Sequence, residues 1–182
     1  MPLLKNHYTS KDYWNLPEDE RAELIGGTFY NIAPPSRLHQ ELSGQIYKTI
    51  TNYIDAHHSS CKVYAAPFAV NLDADDRDWV EPDISVICDP DKLTDRGCSG
   101  APDLIFEIVS PSSRKLDYGI KNGIYSQSGV REYWIIDPAK EKVVVYYYDR
   151  DSDPCLYSFD SDIPVGIYPG LSIKINDLLK NY

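Results

Sequence analysis

Three ionisable side chains, Asp83, Glu107 and Lys121, could do chemistry together, and Glu107 stands where charge is hard to place. Glu107 lies within Leu104-Ile-Phe-Glu-Ile-Val109, a run that reads as a strand buried on both faces. A carboxylate there is costly unless it is paired, protonated or bound to a metal. Asp83 follows Pro82, midway along the preceding apolar run from Trp79 to Cys88. Lys121 lies on the helix into which the Glu107 strand feeds. Two acids on adjacent strands can hold a divalent cation through hard oxygen ligands. A nearby lysine can orient or deprotonate a water, or steady a developing negative charge. With a cation bridging water and phosphate, these parts suffice for phosphodiester hydrolysis.

The elements that must position them follow in order. Thr9 or Ser10 caps a short helix through Trp14. Arg21 to Ile32 reads as a hairpin turning at Gly26-Gly27, with Glu23 on its first strand. Pro34-Pro35 breaks the chain, and Ser36 then caps a helix to about His57. Leu38, Leu42, Ile46, Ile50 and Tyr53 or Ile54 recur along it at helical spacing. His39 in its first turn reads as a structural hydrogen-bonding residue, and His57 and His58 suit the helix C-terminus. Cys61 to Val70 and Trp79 to Cys88 read as strands around an acidic turn, Asn71 to Asp78. That turn lacks the Gly and the Glu that a calcium loop starting at Asp73 would need at its sixth and twelfth positions, where Asp78 and Ile84 stand.

The central strand spans 103–109, and alternation puts Asp103, Ile105, Glu107 and Val109 on one face. Asp103 reads as the capping acid of the Pro-Asp turn at the strand's mouth. Ser110-Pro-Ser-Ser113 opens a helix to Ser128, with Leu116, Ile120 and Ile124 or Tyr125 expected against the sheet and Gly129 as its stop. Arg131 to Asp137, Val143 to Asp149 and Cys155 to Phe159 read as further strands. The Tyr146-Tyr147-Tyr148 run reads as strand packing. A last extended segment, Leu171 to Ile175, and a helical turn, Asp177 to Leu179, close the chain. This order predicts an α+β fold with a mixed central β-sheet flanked by helices, an N-terminal hairpin and additional C-terminal strands.

Composition narrows the class. The 182 residues suit one domain over 1–182, and no apolar run approaches a membrane span. The start, Met1-Pro-Leu-Leu-Lys-Asn-His7, has no secretory apolar region, so a cytoplasmic location is the expectation. Cysteines stand at 61, 88, 98 and 155, without a C-x-x-C pair, and Cys61 and Cys88 read as reduced core residues. Neither glycine-rich nucleotide motif occurs. The formal net charge of -10 weighs against non-specific nucleic-acid binding, but leaves room for a local basic cleft.

The ordered set of motifs resembles the Uma2 family (the DUF820 group) of restriction-type endonucleases, within the PD-(D/E)xK nuclease superfamily. The matching text is Ala22-Glu-Leu-Ile-Gly-Gly27, Pro34-Pro35 with His39, Glu81-Pro-Asp-Ile-Ser-Val86 and Ala101-Pro-Asp-Leu-Ile-Phe-Glu-Ile-Val-Ser-Pro-Ser-Ser113. It continues through Asp117-x-x-x-Lys121-x-x-x-Tyr125, Gly129-Val-Arg-Glu-Tyr-Trp-Ile-Ile-Asp-Pro138 and Pro169-Gly-Leu171. The resemblance implies a restriction-endonuclease-like core and hydrolysis of DNA phosphodiester bonds. It implies Mg²⁺, with Mn²⁺ as a substitute, held by Asp83 and Glu107 with Glu23, and Lys121 as the catalytic lysine. A strict E-x-K would place lysine at 109, where Val109 stands, so the role passes to the helix. Lys115 competes there, and Lys121 is preferred for its family position and its i,i+4 relation to Asp117. A homodimer follows by analogy with nucleases that cut both strands. Two other readings remain open: a non-catalytic binding or assembly protein of the same fold, and a metal-dependent hydrolase of a small phosphorylated substrate.

Overall fold

Thr9 starts the first helix, α1 (Ser10–Tyr13), with its amide and its hydroxyl both on Asp12 Oδ2 at 2.9 Å. The computed structural model describes residues 7–180 and 182. The reading of a leaderless start therefore falls largely on residues 1–6, outside the described residues. The hairpin forms as expected from β1 (Ala22–Ile25) and β2 (Thr28–Asn31). Gly26 and Gly27 supply its turn at φ 57° and 75°, which side chains disfavour. Ser36 begins α2 (Arg37–Ala56), its Oγ accepting from the His39 amide at 3.2 Å. Leu42, Ile46, Ile50 and Ile54 form the buried stripe of that helix.

A run of short strands follows: β3 (Lys62–Ala65), β4 (Val70–Asn71), β5 (Trp79–Val80), β6 (Ile84–Ile87), β7 (Leu93–Thr94), β8 (Gly97–Ser99) and β9 (Leu104–Ile108). A π-helix (Leu116–Lys121) runs directly into α3 (Asn122–Ser128), which ends at Gly129 with φ 96°. The remainder is β10 (Glu132–Asp137), β11 (Lys142–Tyr147), β12 (Cys155–Ser158), the small pair β13 (Ile163–Pro164) and β14 (Ser172–Ile173), and α4 (Ile175–Leu178).

The fold is α+β with mixed sheets. The strands build two six-stranded sheets, in the orders β2-β1-β5-β4-β8-β7 and β12-β11-β10-β9-β6-β3. Strand β9 lies inside the second, parallel to β10 and antiparallel to β6. Alternation along β9 separates two cores. Leu104, Phe106 and Ile108 pack with the α2 stripe and Trp134. Ile105 and Val109 pack with Val70, Val80, Tyr125 and Tyr133, beneath the first sheet and α3. Glu107 shares this second face.

Four elements depart from the sequence reading. Trp79 to Cys88 is two strands in different sheets, because Pro82 has no amide to give a ladder. Asp83 therefore sits at a crossing between sheets, just before β6. Cys61 to Val70 is likewise split, at the cis Ala66–Pro67 bond. In the helix after β9, Leu116 and Ile124 pack partly buried against the second core as expected, but the stripe beside them is buried more deeply. Asp117, Lys121 and Tyr125 are buried, whereas Ile120 is 43% exposed. The π turn takes an extra residue and so shifts Ile120 out of the buried side while Asp117 and Lys121 turn in. Finally, Cys61 and Cys88 are joined as a disulfide. They flank the Lys62–Ile87 pair of adjacent β3 and β6, a register that adjacent motifs do not reveal.

Candidate active site

The second core is polar at one place, where Glu107 rises from the middle of β9. It is 3% exposed. Its Oε1 accepts from Lys121 Nζ and from the Tyr125 hydroxyl, both at 2.8 Å. Those partners lie on the π-helix and on α3, one turn apart, so the rotation of the buried stripe is what delivers them to the acid.

Lys121 serves more than one carboxylate. Its Nζ is 2.9 Å from Glu23 Oε1 on β1 and 3.7 Å from Asp117 Oδ1 one turn earlier. Glu23 Oε1 also accepts from the Glu81 amide at 2.8 Å. Asp83 faces Glu107 from the other side. Its amide lies 3.4 Å from Glu107 Oε2, and its Oδ2 accepts from the Ile108 amide at 2.7 Å. His39 Nε2, reaching in from the first turn of α2, lies 3.1 Å from the same oxygen. The cation and the acids thus come from both sheets, α2 and the π-helix.

One ammonium among three carboxylates leaves negative charge in excess. Burial pushes Glu107 well above the usual carboxylate range, with Asp83, Asp117 and Glu23 adding to the rise against the pull of Lys121. Burial likewise lifts Asp117 to about 6. Burial alone would lower Lys121, but Glu107, Glu23 and Asp117 outweigh it and hold the ammonium well above its ordinary value. Burial opposes charge on His39 too, and its bond to Asp83 prevails, raising the imidazole.

These groups form the floor of a cavity of about 890 Å³. Its walls come from the β2–α2 connection, the start of α2, the 110–113 turn and the π-helix. The residues fit a hard divalent cation by donor chemistry. Asp83, Glu107 and Glu23 each commit one oxygen to a strong partner, at 2.9 Å or closer. Glu107 Oε2 has the long 3.4 Å contact with the Asp83 amide, and Asp117 Oδ1 is buried without a hydrogen bond among the described residues. No group of three or more His, Cys, Asp or Glu side chains among the described residues is arranged to hold a metal ion. Mg²⁺ seldom needs one, since it keeps several waters and takes one or two carboxylates.

The expected residues therefore meet: Asp83 adjoins Glu107, and Lys121 bridges Glu107 to Glu23. Lys115 does not join them; it lines the cavity and is exposed. Sequence reasoning assigned no chemistry to Tyr125, although the Asp117–Lys121–Tyr125 spacing was a usable signal. His39 was read as structural, and its contact with Asp83 comes from a pairing between distant segments. Arg114, just before the π-helix, pairs with Asp137 at the end of β10.

The site thus sets carboxylates and a lysine at the floor of a cavity in a mixed-sheet α+β fold. The chain belongs to the Uma2 family, whose description reads "Putative restriction endonuclease"; that family's model matches residues 10–175. It is similar to the uncharacterized protein slr1290 of Synechocystis sp., at 22% identity over 149 residues, 81% of this chain and 77% of that protein. Its fold is that of the crystal structure of "a putative nuclease belonging to DUF820" from Anabaena variabilis. That match has a TM-score of 0.73 at 23% identity, covering 93% of this chain and 96% of the other. No helix among the described residues is long and apolar enough to cross a membrane.

Proposed function

We propose that this protein is a Mg²⁺-dependent endonuclease that hydrolyses DNA phosphodiester bonds in the 890 Å³ cavity. The observation that carries the reading is the buried Lys121–Glu107 pair with Asp83 beside it. Asp83 and Glu107 would hold the ion. Glu23 assists, with one oxygen fixing the lysine and the other left for the ion or its waters. The ion would supply Lewis-acid polarisation of the phosphodiester.

The chain's own groups do the rest. Lys121 presents a permanent positive charge at the cavity floor, where it steadies charge developing on the phosphate. Glu107 and Glu23 hold Nζ from two strands, so little reorganisation is needed when substrate arrives. Tyr125 fixes the Glu107 carboxylate by donating to Oε1. Low local exposure strengthens each of these charges relative to water.

The test is cleavage of plasmid and oligonucleotide DNA in Mg²⁺ by the wild type, Glu107→Ala and Lys121→Ala, with folding followed by circular dichroism. Loss of cleavage in both folded variants is expected. Wild-type rates in both would overturn the assignment.

A further inference from the structure

The cavity that houses the site is not built like a surface for duplex DNA. Its floor is acidic and deep: Glu107 and Lys121 are 3% and 4% exposed. Its cations are few. Lys121 is held by carboxylates, Arg21 is paired with Glu81 at 2.5 Å, and Lys115 stands at the wall. Duplex binding relies on neutralising many phosphates, with a matching steep salt dependence. The chain instead carries a net charge of -10.

The walls are largely apolar. Tyr30, Ile32 and Leu38 come from the hairpin and the start of α2, and Leu116 and Ile120 from the π-helix. Ile120 is 43% exposed, an unusual position for a large apolar side chain on a helix with a buried side. The same π turn that delivers Lys121 to Glu107 leaves Ile120 open on the cavity wall. The volume, about 890 Å³, matches a pocket for one or two nucleotides and not a groove for a double helix.

Building on the nuclease reading, we propose that the site takes an unpaired DNA strand, with a nucleobase against the apolar wall that includes Ile120. Unstacked bases present faces that apolar and aromatic side chains can cover without regard to sequence. Only a strand free to leave the stack delivers its phosphate to a lysine this deep. Few phosphates are contacted, so binding depends weakly on salt.

The experiment is fluorescence anisotropy of a labelled oligo(dT) 12-mer and of the same strand annealed to its complement. Ca²⁺ serves as the hard cation, and wild type, Ile120→Ser and Ile120→Leu are compared. The single strand should bind the wild type at least about tenfold more tightly than the duplex, with a log–log salt slope of about -1 to -2. Ile120→Ser should weaken the single strand by about threefold or more, and Ile120→Leu should restore it. Equal or tighter duplex binding, a steep salt slope, an unaffected Ile120→Ser, or no binding of either DNA would each overturn the proposal. Hydrolysis of bis(p-nitrophenyl) phosphate in Mn²⁺ keeps the two readings apart. If it persists while strand binding fails, the substrate class falls and the phosphodiesterase stands. If it is absent while the strand binds, the catalytic reading falls.

Discussion

Lys121 Nζ lies 2.8 Å from Glu107 Oε1 and 2.9 Å from Glu23 Oε1, so one buried ammonium ties the central strand of one sheet to the first strand of the other. Removing a partner from such a group leaves uncompensated buried charge, at a typical loss of about 3–5 kcal/mol. Lys121→Met should therefore lower stability by roughly that amount at pH 8, in urea denaturation without metal. The deficit should shrink at pH 5, because Glu107 and Asp117, both raised by burial, are then neutralised by protonation. A deficit independent of pH would show that the lysine acts by packing alone.

Asp117 offers a second test on the metal-free protein. Its folded value is raised to about 6 by burial, above that of an unfolded aspartate. An acid raised in this way contributes its full stability below the unfolded value and loses it as pH rises through the folded one. Asp117→Asn does not ionise, so it should gain stability relative to wild type between about pH 4 and 7, by on the order of 2 kcal/mol. Parallel curves for the two proteins across that range would contradict the burial account.

Much of this site could be anticipated from the residues. A lone acid in Leu-Ile-Phe-Glu-Ile-Val announces itself because nothing in the strand can satisfy it, and Ser36 and Gly129 mark helix ends through local backbone chemistry. The π turn could not, because Leu116, Ile120 and Ile124 repeat at α-helical spacing and suggest an apolar buried stripe. Leu116, Ile124 and Tyr125 do meet the core, but the need to satisfy Glu107 also turns Asp117 and Lys121 inward and leaves Ile120 outside. Asp83 was found by type, but not its place at a crossing between sheets, since Trp79 to Cys88 reads as one strand through Pro82. The bond between Cys61 and Cys88 depends on the register of β3 against β6, which is set by pairing across 27 residues of sequence.

The cysteines supply a chemical check. Burial lifts the Cys98 thiol to about 11, and Cys61 and Cys88 are joined. Iodoacetamide at pH 8 on the native, unreduced protein should label Cys155 and spare Cys98. Two thiols should react in denaturant without reductant and four after reduction, as counted by mass spectrometry. Four reactive thiols without reductant would show that the disulfide is absent.

Lys115 separates the two candidate lysines. It is exposed and takes no part in the buried network, so Lys115→Ala should keep most of the cleavage activity, whereas Lys121→Ala should lose it. A Lys115→Ala variant as inactive as Lys121→Ala would move the catalytic role, or a share of it, to the cavity wall.

The central claim is that the buried acid at 107 helps to hold a divalent cation. Isothermal titration calorimetry with Mn²⁺, on wild type and Glu107→Gln without DNA, tests it most directly. Glutamine keeps the shape and an acceptor for Tyr125, and it leaves Lys121 paired with Glu23. The wild type should bind Mn²⁺, and the variant should bind at least about tenfold more weakly while remaining folded. Equal binding by both proteins, or none by the wild type at millimolar Mn²⁺, would contradict the claim.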